Sequence, residues 1–498
     1  MNTNLQSKIP GNILWTIKHL QDSGFEAFVV GGCVRDMFLD KNPNDWDITT
    51  NAIPQEIIDA FEKTDRRVVY ENIFGTVGII NKNLDLSDVG YEIEITPYRT
   101  ESGYSDNRRP DEILFSNSIH EDVKRRDFTI NAMAYDPILD VLIDDFDGKG
   151  DIEKRILRTV GNPLERFSED ALRLMRMVRF SAQLGFIGET DTINALHDLA
   201  PSLKNISSER IRDEFIKIVD APFAKEGMEM MRVHGLLEYT IAELLQGVGC
   251  EQGGIHSFDV WTHLIKSLEH GSKKQYPFHV KFAALFHDIG KPRSRRAANG
   301  RGTKEWTFYG HEVIGARMTK DIMKRLKFSK ELTEKVVKLV RYHMFFSDPE
   351  AITLSAVRRM VANVGEDMIW ELTDLRTCDR IGTGRPSEKP YRLRKYEAMI
   401  EEVLRDPISV GMLKINGDIM IREMRLQPGR KMGWILHALL EEVLDEPIKN
   451  TREYLESRAL EMYTMTEKDL QKIGEAGREK KNQVDTAEIK KLHKKHKV

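Results

Sequence analysis

Cysteine is nearly missing from this sequence: Cys33, Cys250 and Cys378 are the only three. Odd in number, scattered and without metal-ligand spacing, they argue against a disulfide framework and a thiolate metal cluster. Reduced thiols in a cytoplasmic protein are the expectation. Long apolar runs are absent as well, and no stretch approaches the roughly 20 residues of a membrane span. The opening MNTNLQSKIPGNILWTIKHL reads as a polar leader and an amphipathic helix, without a signal-peptide core. Net charge is small, −4 from 75 Lys/Arg and 79 Asp/Glu. Global charge therefore does not announce a nucleic-acid binder, and any basic surface has to be local. Internal repeats are missing too. What the chain has is length: 498 residues exceed one ordinary core, and about two to four domains are expected.

Residues 1–150 alternate short strands and helices, with FEAFVV, VGIIN and YEIEIT strand-like. Residues 151–245 are helical, with apolar positions three and four apart in EDALRLMRMVRFSAQLGF and SERIRDEFIKIV. The glycine-rich QGVGCEQGGIHS marks a boundary. Histidine becomes frequent over 250–385, a further helical body covers 386–465, and 466–498 form a Lys-rich tail. From Arg478 onward the tail carries eight Lys/Arg against three acids, which suits a solvated segment or one that touches phosphates.

The first chemistry lies in FVVGGCVRDMFLDKNPNDWDI. A buried-type strand runs into Gly31 and Gly32, and a helix is predicted to begin near Val34. Glycines at such a turn let backbone N–H groups approach a phosphate, and a helix N-terminus favours anions. Arg35 adds a charged donor suited to phosphate oxygens. Asp45 and Asp47 follow. Residues i and i+2 of a strand share a face, and two carboxylates that close resist joint ionisation unless a cation sits between them. Glu92 and Glu94 share a face of YEIEIT, and either could complete a set of three; Glu94 is carried forward as the third ligand. Three carboxylates beside a phosphate cradle are what two-metal phosphoryl transfer requires.

GG-x-V-R-D followed by D-x-D resembles the nucleotidyltransferase superfamily related to DNA polymerase β. With KRRDFTINAMAYD, EDALRLMRMVRF and SSERIRDEF in that order, the finer resemblance is to class II CCA-adding enzymes and their bacterial poly(A) polymerase relatives. It is strong over residues 24 to 220 and weaker to about 460. The implied fold is multidomain, α/β plus all-α: a polymerase-β-like nucleotidyltransferase head, a helical neck, a helical HD domain and a helical tail. The implied activity is template-independent addition of CCA to tRNA with CTP and ATP, using Mg2+. Carried over residue by residue, Arg126 would contact nucleotide and Asp127 the ribose. Asp170 and Arg173 would read the base edge, with Glu169 supporting them, and Arg176 and Arg179 would hold nucleotide or its phosphates. By spacing alone, Asp170, Arg173, Arg176 and Arg179 form a drifting stripe along one helix. The loop RTESGYSDNRRPDEI resembles the flexible loop this family uses in switching from C to A addition, which favours CCA addition over poly(A) synthesis.

From His256 the chain places His263, the doublet His287-Asp288, His311, His343 and Asp379 along a helical region. Imidazole and carboxylate are suitable ligands for a divalent metal. The ordered set, HDIGKP above all, resembles the HD-domain metal phosphohydrolases; Asp374 competes for the last place, though Asp379 matches the family better. Paired with such a head, an HD domain could remove a 2′,3′-cyclic phosphate or a phosphomonoester from damaged RNA ends. The rival expectations are an A-adding enzyme or poly(A) polymerase, and a metal phosphohydrolase whose head is a regulatory nucleotide-binding module.

Overall fold

A computed structural model describes residues 5–43, 45–70, 75–81, 84, 91–102, 112–253, 257–297, 306–345, 352–467, 469–470 and 473. His256, residues 103–111 of the loop and the Lys-rich tail from Arg478 lie outside the described residues. The chain divides into two compact units, Met1–Leu245 with Arg325–Phe328, and Gln246–Lys324 with Ser329–Val498.

The first unit begins with a mixed sheet. Its strands are β1 (Ala27–Val30), β2 (Asp47–Thr50), β3 (Arg67–Tyr70), β4 (Val77–Ile80) and β5 (Glu92–Pro97). After a separate hairpin of β6 (Arg99–Ser102) and β7 (Glu112–Phe115), β8 (Ala134–Asp136) and β9 (Val141–Ile143) complete it. The order is β3-β4-β5-β2-β1-β8-β9. Only β2 and β5 run parallel, and their register puts Asp47 beside Glu94 and Ile48 beside Ile95. Strand alternation then sorts the side chains: Ile93 and Ile95 are buried, while Glu92 and Glu94 face out.

Helices α1 (Gly11–Asp22), α2 (Gly32–Phe38), α3 (Pro54–Phe61), α4 (Ile119–Lys124) and α5 (Gly148–Lys154) accompany this sheet. Ile13, Ile17 and Leu20 give α1 one buried face, as its three- and four-residue spacing predicts. Tyr98, Val123, Ala134 and Val160 join the sheet to the residues that follow it in one core cluster.

The neck comprises α6 (Pro163–Glu169), α7 (Leu172–Leu184), α8 (Thr190–Asp198), α9 (Ser208–Val219), α10 (Ala224–Val233) and α11 (Leu236–Thr240). A short parallel pair, β10 (Ile156–Leu157) and β11 (Ile187–Gly188), flanks it. The spacing in EDALRLMRMVRF predicts one helix carrying Asp170 in its stripe, and the structure differs. Asp170 is extended, at φ −141° and ψ 105°, because its Oδ1 accepts the Leu172 N–H at 3.0 Å. A short polar side chain thus ends α6 and starts α7, and Asp170 sits at the corner between them.

In the second unit, α12 (Val260–Lys273), α13 (Phe278–Phe286), α14 (Lys291–Ser294), α15 (His311–Arg325), α16 (Lys330–Tyr342), α17 (Leu354–Val364) and α18 (Ile369–Gly382) follow one another. A two-stranded hairpin of β12 (Arg296–Ala297) and β13 (Trp306–Thr307) lies between α14 and α15. Every residue of α13 from Val280 to Phe286 is buried, so it is the central helix. The body continues with α19 (Tyr391–Val403), α20 (Gly417–Arg422), α21 (Arg430–Asp445) and α22 (Arg452–Tyr463). Ile415, Ile435, Leu439 and Leu455 form the core of that last part. Among the described residues no helix is long and apolar enough to cross a membrane.

Candidate active sites

In the head, β2 and β5 bring Asp47 and Glu94 to one register position, with Asp45 two residues ahead of Asp47. Burial pushes the Asp47 carboxyl up from the usual carboxylate range, Arg126 opposes the rise, and Asp45 adds to it. Two carboxylates crowded this way are more stable ionised when a cation is near. The three do not close into one tight ligand cluster of the kind found in the second unit.

Gly31 adopts φ +84°, a backbone region glycine enters freely. A Cβ there would lie 3.0 Å from Arg126 Nη1 and 3.9 Å from Asp47 Oδ2. The Gly31 N–H donates to the Met133 carbonyl at 3.1 Å, so it is already committed within the fold. Gly31 therefore serves by making room for Arg126 beside Asp47, rather than by offering its N–H to phosphate. The helix after it begins at Gly32, two residues earlier than the sequence predicts. Arg35 donates to Asn131 Oδ1 at 2.7 Å and to Asp36 at 2.9 Å.

Arg126 is steered by a residue that sequence reasoning missed. Asp122 is fully buried and accepts from Arg125 at 2.6 Å and Arg126 at 3.1 Å. Burial alone would raise its carboxyl; Arg126 and Arg125 outweigh that and hold it below the usual range. The signal was present in EDVKRRD, where Asp122 precedes the two arginines by three and four residues. Asp127 accepts from Arg176 of α7 at 2.6 Å. Burial again works upward, but Arg176 and Arg173 hold the carboxyl down to about 2.

Asp170 and Arg173 are each held from outside the pair. Arg210 of α9 donates to Asp170 at 2.7 and 3.3 Å. Arg173 donates to the carbonyls of Arg166 and Arg125 at 2.8 and 3.4 Å and pairs with Glu169. Glu169 also accepts from Arg166 at 2.8 Å. Arg179 is buried and donates to Glu214 of α9 at 3.0 Å, while burial and neighbouring Arg176 push its guanidinium down to about 10. Three guanidiniums surround the Phe180 ring: Arg179 at 4.3 Å, Arg35 at 5.3 Å and Arg176 at 5.4 Å. Arg210 and Glu214, four apart in SSERIRDEF, are thus a clamp that the sequence carried without declaring.

The second unit holds a tighter cluster. His263 of α12, His287 and Asp288 after α13, and Asp379 of α18 form one group, and Asp288, His311 and His343 form another. Asp288 belongs to both. His263 Nε2 lies 3.1 Å from Asp288 and 3.3 Å from Asp379, while Asp288 Oδ1 lies 3.2 Å from His311 and 3.4 Å from His343. Asp374, the rival for the last place, is not in either group.

The protons in this cluster can be assigned. His287, His311 and His343 each point Nδ1 at the carbonyl three residues earlier, Ala284, Phe308 and Val340, at 2.7–2.9 Å. A carbonyl only accepts, so Nδ1 carries a proton in each ring and Nε2 is left as the nitrogen that could offer a lone pair to a metal. Yet His311 Nε2 lies 3.3 Å from His343 Nε2, and His263 Nε2 lies 2.9 Å from His287 Nε2. Imidazole nitrogens and carboxylates converging on one buried place are suited donors for a divalent metal. Gly290 of HDIGKP lets this happen, since a Cβ there would lie 2.2 Å from the His311 carbonyl oxygen.

Comparison with known proteins follows the same division. Residues 27–158 match the family described as poly A polymerase head domain, residues 185–246 a probable RNA and SrmB-binding site of polymerase A, and residues 253–382 the HD domain. A CCA-adding enzyme of Leuconostoc mesenteroides subsp. mesenteroides is 33% identical over 443 residues, covering 89% of this chain and 94% of that protein. One from Lactobacillus johnsonii is 46% identical over 223 residues, 45% of this chain and 53% of that protein, so this match spans about half the relative. Among solved structures, the Bacillus stearothermophilus CCA-adding enzyme in complex with CTP aligns with a TM-score of 0.67 at 25% identity, covering 91% of this chain and 98% of that one.

Proposed function

The chain belongs to the family of CCA-adding enzymes, and from that premise we propose that its first unit adds C, C and A to the 3′ end of tRNA from CTP and ATP. The observation that carries this reading is the β2–β5 register, which pairs Asp47 with Glu94 next to the Gly31–Arg126 contact. Asp45, Asp47 and Glu94 would hold Mg2+, for which carboxylate oxygens are the suited donors. When bound, the ions supply activation of the attacking 3′ hydroxyl and neutralisation of the leaving pyrophosphate.

The chain's own residues do the positioning. Arg35 and Arg126 bind the triphosphate. Asp127, kept ionised, accepts from a ribose hydroxyl. Asp170 and Arg173 offer an acceptor and a donor to the base edge, and a wrong base is rejected because it leaves shielded polar groups unpaired. Glu169, Arg176 and Arg210 keep these groups in place, and Arg179 with Glu214 braces the helices behind them. The head (1–150), neck (151–245), HD domain (250–385) and helical body (386–465) divide these tasks, and the Lys-rich tail (466–498) serves RNA phosphates. Three free, buried cysteines fit a reducing, cytoplasmic setting.

In the second unit His263, His287, Asp288, His311, His343 and Asp379 would hold divalent metal, whose chemistry is to make bound water a nucleophile at neutral pH. This site would hydrolyse phosphate esters at RNA 3′ ends and restore the hydroxyl that the head extends.

The test offers tRNA transcripts ending before CCA, after C and after CC, with each nucleotide singly and with CTP plus ATP, resolved on a sequencing gel. Ordered C, C, A addition followed by arrest supports the reading. Addition of A only to the CC-ended transcript indicates an A-adding enzyme, and A-tailing without arrest a poly(A) polymerase.

A further inference from the structure

Arg166 of α6 precedes the base-reading stretch, yet its guanidinium reaches both halves of the transferase site. Nη2 donates to the Lys124 carbonyl at 3.0 Å and Nη1 to the Arg125 carbonyl at 3.1 Å. These carbonyls stand at the C-terminal end of α4, where a helix leaves its last acceptors without partners of its own. Arg126 and Asp127 follow at once. Nε donates to the Val160 carbonyl at 3.1 Å, and the Val160 N–H donates in turn to the Asp127 carbonyl at 3.1 Å. One side chain therefore brackets Arg126 and Asp127 from before and after.

The same guanidinium reaches the base reader. Arg166 Nη1 also donates to Glu169 at 2.8 Å, and Glu169 pairs with Arg173. Arg173 answers by donating to Arg166's own carbonyl at 2.8 Å and to the Arg125 carbonyl at 3.4 Å. Helix α6 is pinned in this orientation by Phe167, which is fully buried with its ring 6.4 Å from that of Phe128. The Arg166 side chain is only 12% exposed, so water competes little for these bonds. A guanidinium suits the place because its planar fork carries five donors in fixed directions, whereas an ammonium is a point charge.

The span from Arg126 and Asp127 to Arg173 is the span from triphosphate and ribose to base edge. Choosing a base without a template strand requires that this length be fixed, because a hydrogen bond weakens steeply as its alignment is lost. We propose that Arg166 is a positioning residue for nucleotide selection: it sets the distance between the phosphate-and-ribose grip and the base reader. It acts through Arg126, Asp127, Glu169 and Arg173 rather than by touching the nucleotide. This role rests on the nucleotidyltransferase reading, and the test keeps the two failures apart.

Full-length Arg166→Lys is compared with wild type in steady-state addition of each of the four nucleotides to tRNA transcripts ending before CCA and after CC. Inorganic tripolyphosphate, which has no base, serves as the competing ligand. In the variant, kcat for CTP and ATP should fall by about tenfold or more, and the preference for them over UTP and GTP should narrow by about tenfold. Inhibition by tripolyphosphate should be unchanged, since a ligand without a base does not sense the distance. An equal loss for all four nucleotides, or weaker tripolyphosphate inhibition beside it, overturns the proposal and leaves Arg166 a brace for the fold. Should Arg166→Lys melt early, Arg166→Gln, whose amide still donates to two carbonyls, is judged by the same ratios. A wild-type preference for CTP and ATP that the variants keep intact removes the role of Arg166 alone. A wild-type protein without preference among the four nucleotides removes the base-reading function and this role together.

Discussion

Replacing Asp127 with Asn measures how firmly the Arg176 ion pair ties the head to the neck. The carboxyl, ordinarily near 3.8, is held down to about 2. At about 1.4 kcal/mol per pH unit, this favours the folded, ionised form by about 2–3 kcal/mol. The unfolded chain takes up the proton first as pH falls. The contribution is therefore complete well above pH 4, reduced to about half by pH 3, and lost below pH 2. Asp127→Asn should lower the unfolding free energy of the first unit by about 2 kcal/mol at pH 7. Urea titrations followed by circular dichroism at pH 7, 5 and 3 give the comparison, with the variant's deficit relative to wild type shrinking at the acid end. A deficit of equal size at pH 7 and pH 3 would refute the electrostatic account and assign the loss to packing. No deficit at pH 7 would mean that desolvation cancels the pair, as it does in some buried ion pairs.

Glu214→Ala leaves Arg179 buried without its carboxylate, and should destabilise the first unit by about 3 kcal/mol or more; Arg179→Met in the same chain should recover most of this in denaturant titrations. Arg210→Ala removes both guanidinium donors from Asp170, leaving only the Leu172 N–H among those described, and should cut kcat/KM for CTP and ATP by about tenfold or more, with increased incorporation of GTP and UTP in single-nucleotide gels. Asp45→Ala with Asp47→Ala should abolish nucleotide addition while p-nitrophenyl phosphate hydrolysis continues; loss of both activities in a folded protein contradicts independent sites. Gly290→Ala forces a methyl group into the His311 carbonyl, and calorimetry should show weaker divalent-metal binding together with a lower Tm for the second unit.

The sequence was most readable where chemistry is local. The HD doublet, the DxD pair and the alternation of YEIEIT depend on neighbours a few residues away. Which of Glu92 and Glu94 stands beside Asp47 did not: it follows from a parallel register between β2 and β5, with the β3–β4 hairpin inserted between them in the chain. Spacing also misplaced Asp170, since helical periodicity does not show that an aspartate will turn its carboxylate back on the Leu172 N–H. The supports were the least visible. Asp122, Asn131 and Arg210 act through partners from 3 to 96 residues away, and an ordinary polar residue carries no mark of the side chain it will meet. Arg179 shows the converse, because a stripe of arginines looks uniform until burial turns one of them inward to Glu214.

The clustered histidines and aspartates of the second unit also bear on its lifetime. His287 and His343 stand at the ends of α13 and α16, and His263 and Asp379 belong to α12 and α18. A cation gripped by all of them is a cross-link without a covalent bond, closing long loops whose freedom an unfolded chain would regain. With such a cation bound, folding strength in this unit would rise with the logarithm of free cation. Scarcity of the metal would then shorten the life of this unit by exposing it to proteases as it opens.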